Sequence, residues 1–192
     1  MGVSVEFGLR EKHTEFTGYA SIALEALASL CVTAGIPFEV AARSIGEPEY
    51  AETTRWRLNP DCKVTWDWRS LLEKHRKKPK KIEAAFYSQG VLCGLMYARV
   101  SRSRVCVNVR YIEGSPCPLH PLKGLVATVA LLQADLFARV IKAKRVTISQ
   151  PAKELIGMYT KMSFDMTDGD KRLIARGAKP RYHQLVRDVS SL

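Results

Sequence analysis

Leu122-Lys123-Gly124-Leu125 opens the stretch whose reading decides the fold, and Met158-Tyr159-Thr160-Lys161-Met162-Ser163-Phe164 closes it. Residues 125–141 lie between them without a Gly or Pro, and Leu125, Val129, Leu132, Leu136 and Val140 recur three or four apart. That period predicts a half-buried helix. Arg139, Lys142, Lys144 and Arg145 gather at its end, where cations suit the negative pole of a helix dipole. Arg145-Val146-Thr147-Ile148 is short and β-branched, as a strand would be. Pro151 ends it, and residues 152–162 return to a helical pattern. Turn, helix, strand, helix is the expected order.

A glycine turn that opens a helix has a chemical use. The first turn presents unpaired backbone N–H groups and partial positive charge, so a phosphate can dock there. Gly124 lets the backbone approach a pyrophosphate closely, and Lys123 adds a charge. The expected cradle is Leu122, Lys123, Gly124, Leu125, Val126 and Ala127. Lys-Gly also opens many helices that bind nothing, so the weight comes from its company.

Together the two motifs resemble the core of the GNAT (Gcn5-related N-acetyltransferase) superfamily. Its helix entry reads Gln or Arg, two residues, Gly, one residue, then Gly or Ala; its second helix ends in a motif such as Leu-Tyr-x-Lys-x-Gly-Phe. Lys123-Gly124 matches the first glycine and the residue before it, and residues 158–164 match the end motif with Ser163 in the glycine place. Pro121 stands where Gln or Arg is usual, and Val126 where the second small residue is usual. A valine there is expected to narrow the phosphate cradle. The resemblance spans residues 81–164 and, in element order alone, the flanks.

The resemblance implies acetyl-CoA as cofactor and direct transfer of its acetyl group to an amine acceptor. Such transfer needs an amine that loses a proton, a polarised carbonyl and a leaving thiolate that regains a proton. Glu113, at a strand end before the phosphate turn, stands where many relatives place a general base; burial would raise its pKa. Tyr159 matches the tyrosine that relatives often place near the sulfur as general acid. His120, beside the cradle and flanked by Pro118 and Pro121, is a further base or phosphate contact. Each has a plainer alternative: a solvated strand-end Glu, a core Tyr, a loop His.

Upstream, residues 82–87 read as a strand, Ser88-Gln89-Gly90 as a turn and residues 91–100 as its hairpin partner. After Ser101-Arg102-Ser103-Arg104, residues 105–113 alternate, with Val105, Val107, Val109, Tyr111 and Glu113 expected on one face and Cys106, Asn108, Arg110 and Ile112 on the other. Antiparallel strands followed by strand–helix–strand–helix make a central mixed sheet flanked by helices, an α+β fold. Residues 165–177 are polar, and residues 182–189 suggest a last strand.

The N-terminal part is less regular. Residues 1–18 suggest an edge strand or loose chain; residues 19–34 read as a helix stopped by Gly35, and residues 38–45 as a second short helix. The pair has the outline of a helix-turn-helix but no polar recognition face follows, so it is expected to pack on the sheet as an extension, residues 1–49, to a domain of residues 50–192. Residues 47–60, punctuated by Pro48 and Pro60, are expected to cross between elements. Arg55-Trp56-Arg57 offers a basic-aromatic surface or a strand with Trp56 buried; burial is preferred because large aromatics dominate cores. Asp67 is placed to cap a helix in residues 64–73. The basic run of residues 74–81 reads as a solvated loop, with nucleic-acid contact the minority reading.

Composition sets the outer bounds. The chain has 192 residues and a net charge of +11, which favours an anionic partner, a CoA ligand or nucleic acid. Five widely spaced cysteines without a C-x-x-C pair fit reduced thiols and a cytoplasmic setting, with no metal site expected. No membrane-spanning run and no signal peptide are expected. H-E-x-x-H, G-x-S-x-G and Walker A patterns are missing. The expectation is an N-acetyltransferase of unknown acceptor; the alternatives are a protein of this fold that binds or modifies nucleic acid, by DNA base modification, or one without catalysis.

Overall fold

A computed structural model describes residues 2–64 and 66–189. Helices α1 (Gly2–Glu25) and α2 (Leu27–Thr33) lead to strand β1 (Ala41–Arg43), then α3 (Glu47–Trp56) and α4 (Trp68–Lys74). The strands β2 (Lys81–Ser88), β3 (Val91–Val100) and β4 (Cys106–Gly114) follow, then α5 (Val126–Val140) and β5 (Arg145–Ser149). After a 3-10 turn at Lys153–Leu155 come α6 (Ile156–Lys161), β6 (Asp165–Met166), α7 (Asp168–Ala175) and β7 (Gln184–Asp188). The sheet order is β1-β2-β3-β4-β5-β7-β6. β4 and β5 run parallel, and the other pairs are antiparallel.

Both faces of the sheet are covered. On one, Phe16, Ala23, Leu24, Leu27 and Cys31 of the N-terminal helices share a core with Val129, Ala134 and Phe137 of α5 and with Met96, Val107 and Val109. On the other, Trp56 of α3 and Trp68 and Leu72 of α4 pack on Ala85, Leu95 and Tyr97. β3 is therefore buried through most of its length, its side chains serving the two cores in turn.

Two features of β4 position the site. Its register with β5 runs from Cys106↔Arg145 to Val109↔Ile148, and beyond that the strands part. On its other side Tyr97 pairs with Tyr111 but Ala98 with Val109, so Arg110 is an extra residue. Such a bulge inverts the alternation. Val107 and Val109 lie in the α5 core, whereas Tyr111 packs on the α3–α4 core and Ile112 on the α5 side. The uninterrupted alternation expected for residues 105–113 is thus wrong from Arg110 onward.

Other expectations also change. Residues 2–18 belong to a helix rather than an edge strand, residues 41–43 are a strand rather than a second helix, and no helix-turn-helix forms. Residues 47–56 are helical: Pro48 sits in the first turn, where its missing N–H costs nothing, and Gly46 N donates to Glu49 Oε2 at 2.7 Å. Trp56 is buried, so Arg55-Trp56-Arg57 offers no stacking surface. Asp67 does cap α4, accepting from Ser70 N at 3.0 Å. By length and composition His13–Thr33 would reach across a bilayer, contrary to expectation. In this fold Phe16, Ala23, Leu24, Leu27 and Cys31 turn that stretch onto α5.

Candidate active site

The parting of β4 and β5 opens a cleft of about 930 Å³. Val109, Tyr111 and Ile112 form one wall, and Ile148, Ser149 and Tyr159 the other. Trp66 closes over it, with its ring 5.0 Å from Tyr111, edge to face. α7 contributes Gly169 and Asp170. Asp170 is buried and already satisfied: its Oδ1 accepts from Arg181 N at 2.7 Å and Oδ2 from Thr167 Oγ1 at 3.3 Å. Sequence reasoning missed Asp170 because residues 165–177 carry no apolar period strong enough to show a helix.

The glycine turn sits where β4 hands over to α5. Gly124 has φ +78°, which explains a glycine there. Lys123 N donates to His120 O at 3.1 Å and Leu125 N to Leu122 O at 2.9 Å, folding residues 120–125 tightly. The first regular helical bond is Val129 N to Leu125 O at 2.9 Å, so the amides of Val126, Ala127 and Thr128 have no acceptor among the described residues. Leu122 is buried, anchoring the turn, while Lys123 and Gly124 are exposed. Val126 turns its side chain into the core, against Gly94 and Gly114, where built Cβ atoms would stand 2.3 Å and 3.5 Å from its methyls. The cradle is thus formed by backbone, and the valine is accommodated by two glycines in the sheet.

Glu113 lies at the far end of β4, 2% exposed. The indole N–H of Trp68 is donated to its Oε2, and Cys62 Sγ lies 4.0 Å from Oε1. Burial pushes its pKa up to about 7, against the lowering pull of the Trp68 bond and of Arg57. It does not line the cleft but stands two residues beyond Tyr111 on the same face. Tyr159 of α6 is 5% exposed, lines the cleft and meets Phe164 edge to face at 6.3 Å. Burial raises its pKa. His120 is buried and away from the cleft lining; burial, then Lys123, lowers its pKa, and Nδ1 has no hydrogen-bond partner among the described residues.

The chain resembles N-acetylglutamate synthase from Neisseria gonorrhoeae in complex with coenzyme A and N-acetyl-glutamate (TM-score 0.53, 18% identity) over 79% of its length and 35% of that protein. It spans about a third of that synthase. It also resembles Ard1 from Thermoplasma volcanium (TM-score 0.55, 13% identity; 79% of this chain, 99% of the other). A third likeness is Mycobacterium smegmatis RimJ in complex with CoA-disulfide (TM-score 0.53, 14% identity; 79% and 82%). No family profile and no curated protein matches the sequence. The chain has the GNAT fold, a mixed seven-stranded sheet whose parallel central strands part over a cleft.

Proposed function

We propose that this protein is an N-acetyltransferase that uses acetyl-CoA and an amine acceptor. The observation that carries this is the cleft between the parting strands β4 and β5, close to a helix N-terminus whose first three amides are free. Phosphates fit that turn: Gly124 is open to solvent, a Cβ there meeting nothing within 4 Å, and Lys123 lies exposed beside it. The similar N-acetylglutamate synthase is complexed with coenzyme A and the similar RimJ with CoA-disulfide, which supports a CoA ligand here.

When bound, acetyl-CoA supplies the acyl group whose carbon–sulfur bond breaks as the new carbon–nitrogen bond forms. The amides of Val126, Ala127 and Thr128 hold the pyrophosphate, with Lys123 as counter-charge. Glu113 takes the proton the amine loses. Because it lies behind Tyr111 and Trp66 rather than in the cleft wall, it does so through an intervening water. Its pKa of about 7 suits a base at neutral pH. Tyr159 lines the cleft, its hydroxyl has no hydrogen-bond partner among the described residues, and it returns a proton to the departing sulfur. His120 supports the turn through its carbonyl, and its neutral imidazole adds no competing charge.

Calorimetric titration with acetyl-CoA tests this, run on the wild type and on Gly124→Glu. Micromolar binding lost in the variant supports the reading, because a carboxylate would then occupy the phosphate turn. No binding by the wild type at millimolar cofactor would sink it.

A further inference from the structure

Segments far apart in sequence bring cations to one patch on the α3–α4 side of the sheet. Lys81 pairs with Arg99 across β2 and β3. Lys80 Nζ donates to Arg102 O at 3.0 Å, tying the basic run of residues 74–81 to the turn after β3. Arg110 is the bulge residue of β4. Between them His75 stacks on Tyr97 at 5.0 Å, its pKa lowered by burial and then by Arg99, Arg110, Lys74 and Lys81. The fold has gathered these charges against their mutual repulsion.

Three of them, Arg99, Arg102 and Arg110, line a hollow of about 410 Å³ together with Asn108, Thr147 and Gln184 among others. Arg110 and Gln184 line the hollow and the larger cleft alike, so the two are adjacent. Glu83 offsets Lys81 at 3.4 Å, and Asp188 is engaged with Arg145 at 3.1 Å; neither carboxylate lines the hollow. Among the described residues no ion pair involves Arg99, Arg102 or Arg110, and Arg99 Nε is buried without a hydrogen-bond partner. A buried donor left unmatched is costly until a ligand meets it. Guanidinium forks match phosphate oxygens in pairs.

The hollow is not the cofactor's pyrophosphate site. It lies along the first half of β4, whereas the α5 turn abuts Gly114 at the other end. Asn108 and Gly114 are six residues apart on an extended strand, roughly 20 Å. We propose that this hollow is the subsite for a phosphate of the acceptor, so that the acetylated amine belongs to a phosphate-bearing molecule. The assignment to an acceptor rests on the acetyltransfer reading above.

The test is binding of a short labelled single-stranded oligonucleotide to the full chain by fluorescence anisotropy, with a nucleoside monophosphate as competitor. It compares Arg102→Gln/Arg110→Gln with Arg172→Gln/Arg176→Gln, which makes the same charge change on exposed positions in the last turn of α7 and directly after it. Arg102 and Arg110 are exposed, so the first variant keeps its fold. The expected result is at least a tenfold loss in the first variant and less than twofold in the second. Two lost phosphate contacts also flatten the salt dependence by about 1.4 in log–log slope. Effective competition by the monophosphate identifies a small phosphorylated acceptor; binding confined to the oligonucleotide identifies a phosphodiester strand. Equal losses in both variants, or no binding of either probe, would overturn the subsite. An equal fall in acetyl-CoA affinity in Arg102→Gln/Arg110→Gln would give the hollow to the cofactor and overturn it too. Failure of the wild type to bind acetyl-CoA is a separate readout that removes the acetyltransfer reading instead.

Discussion

Trp68 donates its indole N–H to Glu113, joining the first turn of α4 to the end of β4 through two buried side chains. The bond favours the ionised carboxylate, burial favours the protonated one, and burial prevails, leaving the pKa at about 7. As general base, Glu113 must be ionised, so kcat/KM should rise with pH to a plateau above about 7. Trp68→Phe removes the bond that favours ionisation and should move the rising limb to higher pH. A pH–rate profile of both proteins checks this; an unmoved limb would detach Glu113 from proton transfer.

The same carboxylate affects stability. Below about pH 4.5 it is protonated in both the folded and the unfolded chain. Between there and about 7 the folded chain holds a proton that the unfolded chain releases, so stability falls as pH rises and levels off beyond. Glu113→Gln lacks this penalty. Relative to wild type it should gain on the order of 3 kcal/mol between pH 4.5 and pH 8. Chemical denaturation at the two pH values measures the difference.

Gly94 should be the least replaceable glycine in the sheet. A Cβ there would stand 2.3 Å from Val126 Cγ1 and 2.9 Å from the Glu113 carbonyl oxygen. Gly94→Ala should push the first turn of α5 off β4, costing on the order of 2 kcal/mol and weakening acetyl-CoA binding at the cradle. Val126→Ala removes the closer clash, so the double variant should recover part of both losses. Thermal melts and calorimetry on the four proteins form the cycle; strictly additive losses would refute the steric coupling.

What the sequence showed and what it hid follow from physics. The α5 helix, its flanking strands and the glycine turn were legible because apolar period and turn chemistry agree there. Glu113 and Tyr159 could be picked out from motif position, but their environment could not: Trp68 is distant in sequence, and nothing in residues 66–68 shows that an indole will face a carboxylate. The Arg110 bulge was hidden because a bulge is defined by the partner strand. Residues 41–43 form a three-residue strand fixed by pairing with Ala85, Phe86 and Tyr87, and so short an apolar run reads equally well as helix. Pro48 was misread as a break, although a proline followed by Glu49 is also a helix-start signal.

Arg187 of β7 ties α5 to the turn after α6. It pairs with Asp135 of α5, donates from its second terminal nitrogen to Met162 O at 2.9 Å, and lies 4.5 Å over the Phe164 ring. Burial raises the Asp135 pKa despite the pair. Arg187→Met would strand a buried carboxylate and should cost about 3 kcal/mol, more at high pH than at low, because the lone carboxyl is held protonated in the folded state. Asp135→Asn added to it should return much of the loss. Denaturant melts at pH 5 and pH 8 check both parts.

Tyr159 separates catalysis from architecture. Its ring is core, packed beside Phe164, but among the described residues its hydroxyl has no hydrogen-bond partner. Tyr159→Phe keeps the ring and removes the hydroxyl, whose proton burial holds in place. The melting temperature and acetyl-CoA affinity should therefore stay close to wild type, while kcat falls about 10²-fold, the scale of a lost general acid. Tyr159→Ala would confuse the two by opening a cavity in the α5 core. An unchanged kcat in Tyr159→Phe, once turnover on an acceptor is in hand, would leave the tyrosine a packing residue and pass the leaving-group proton to solvent.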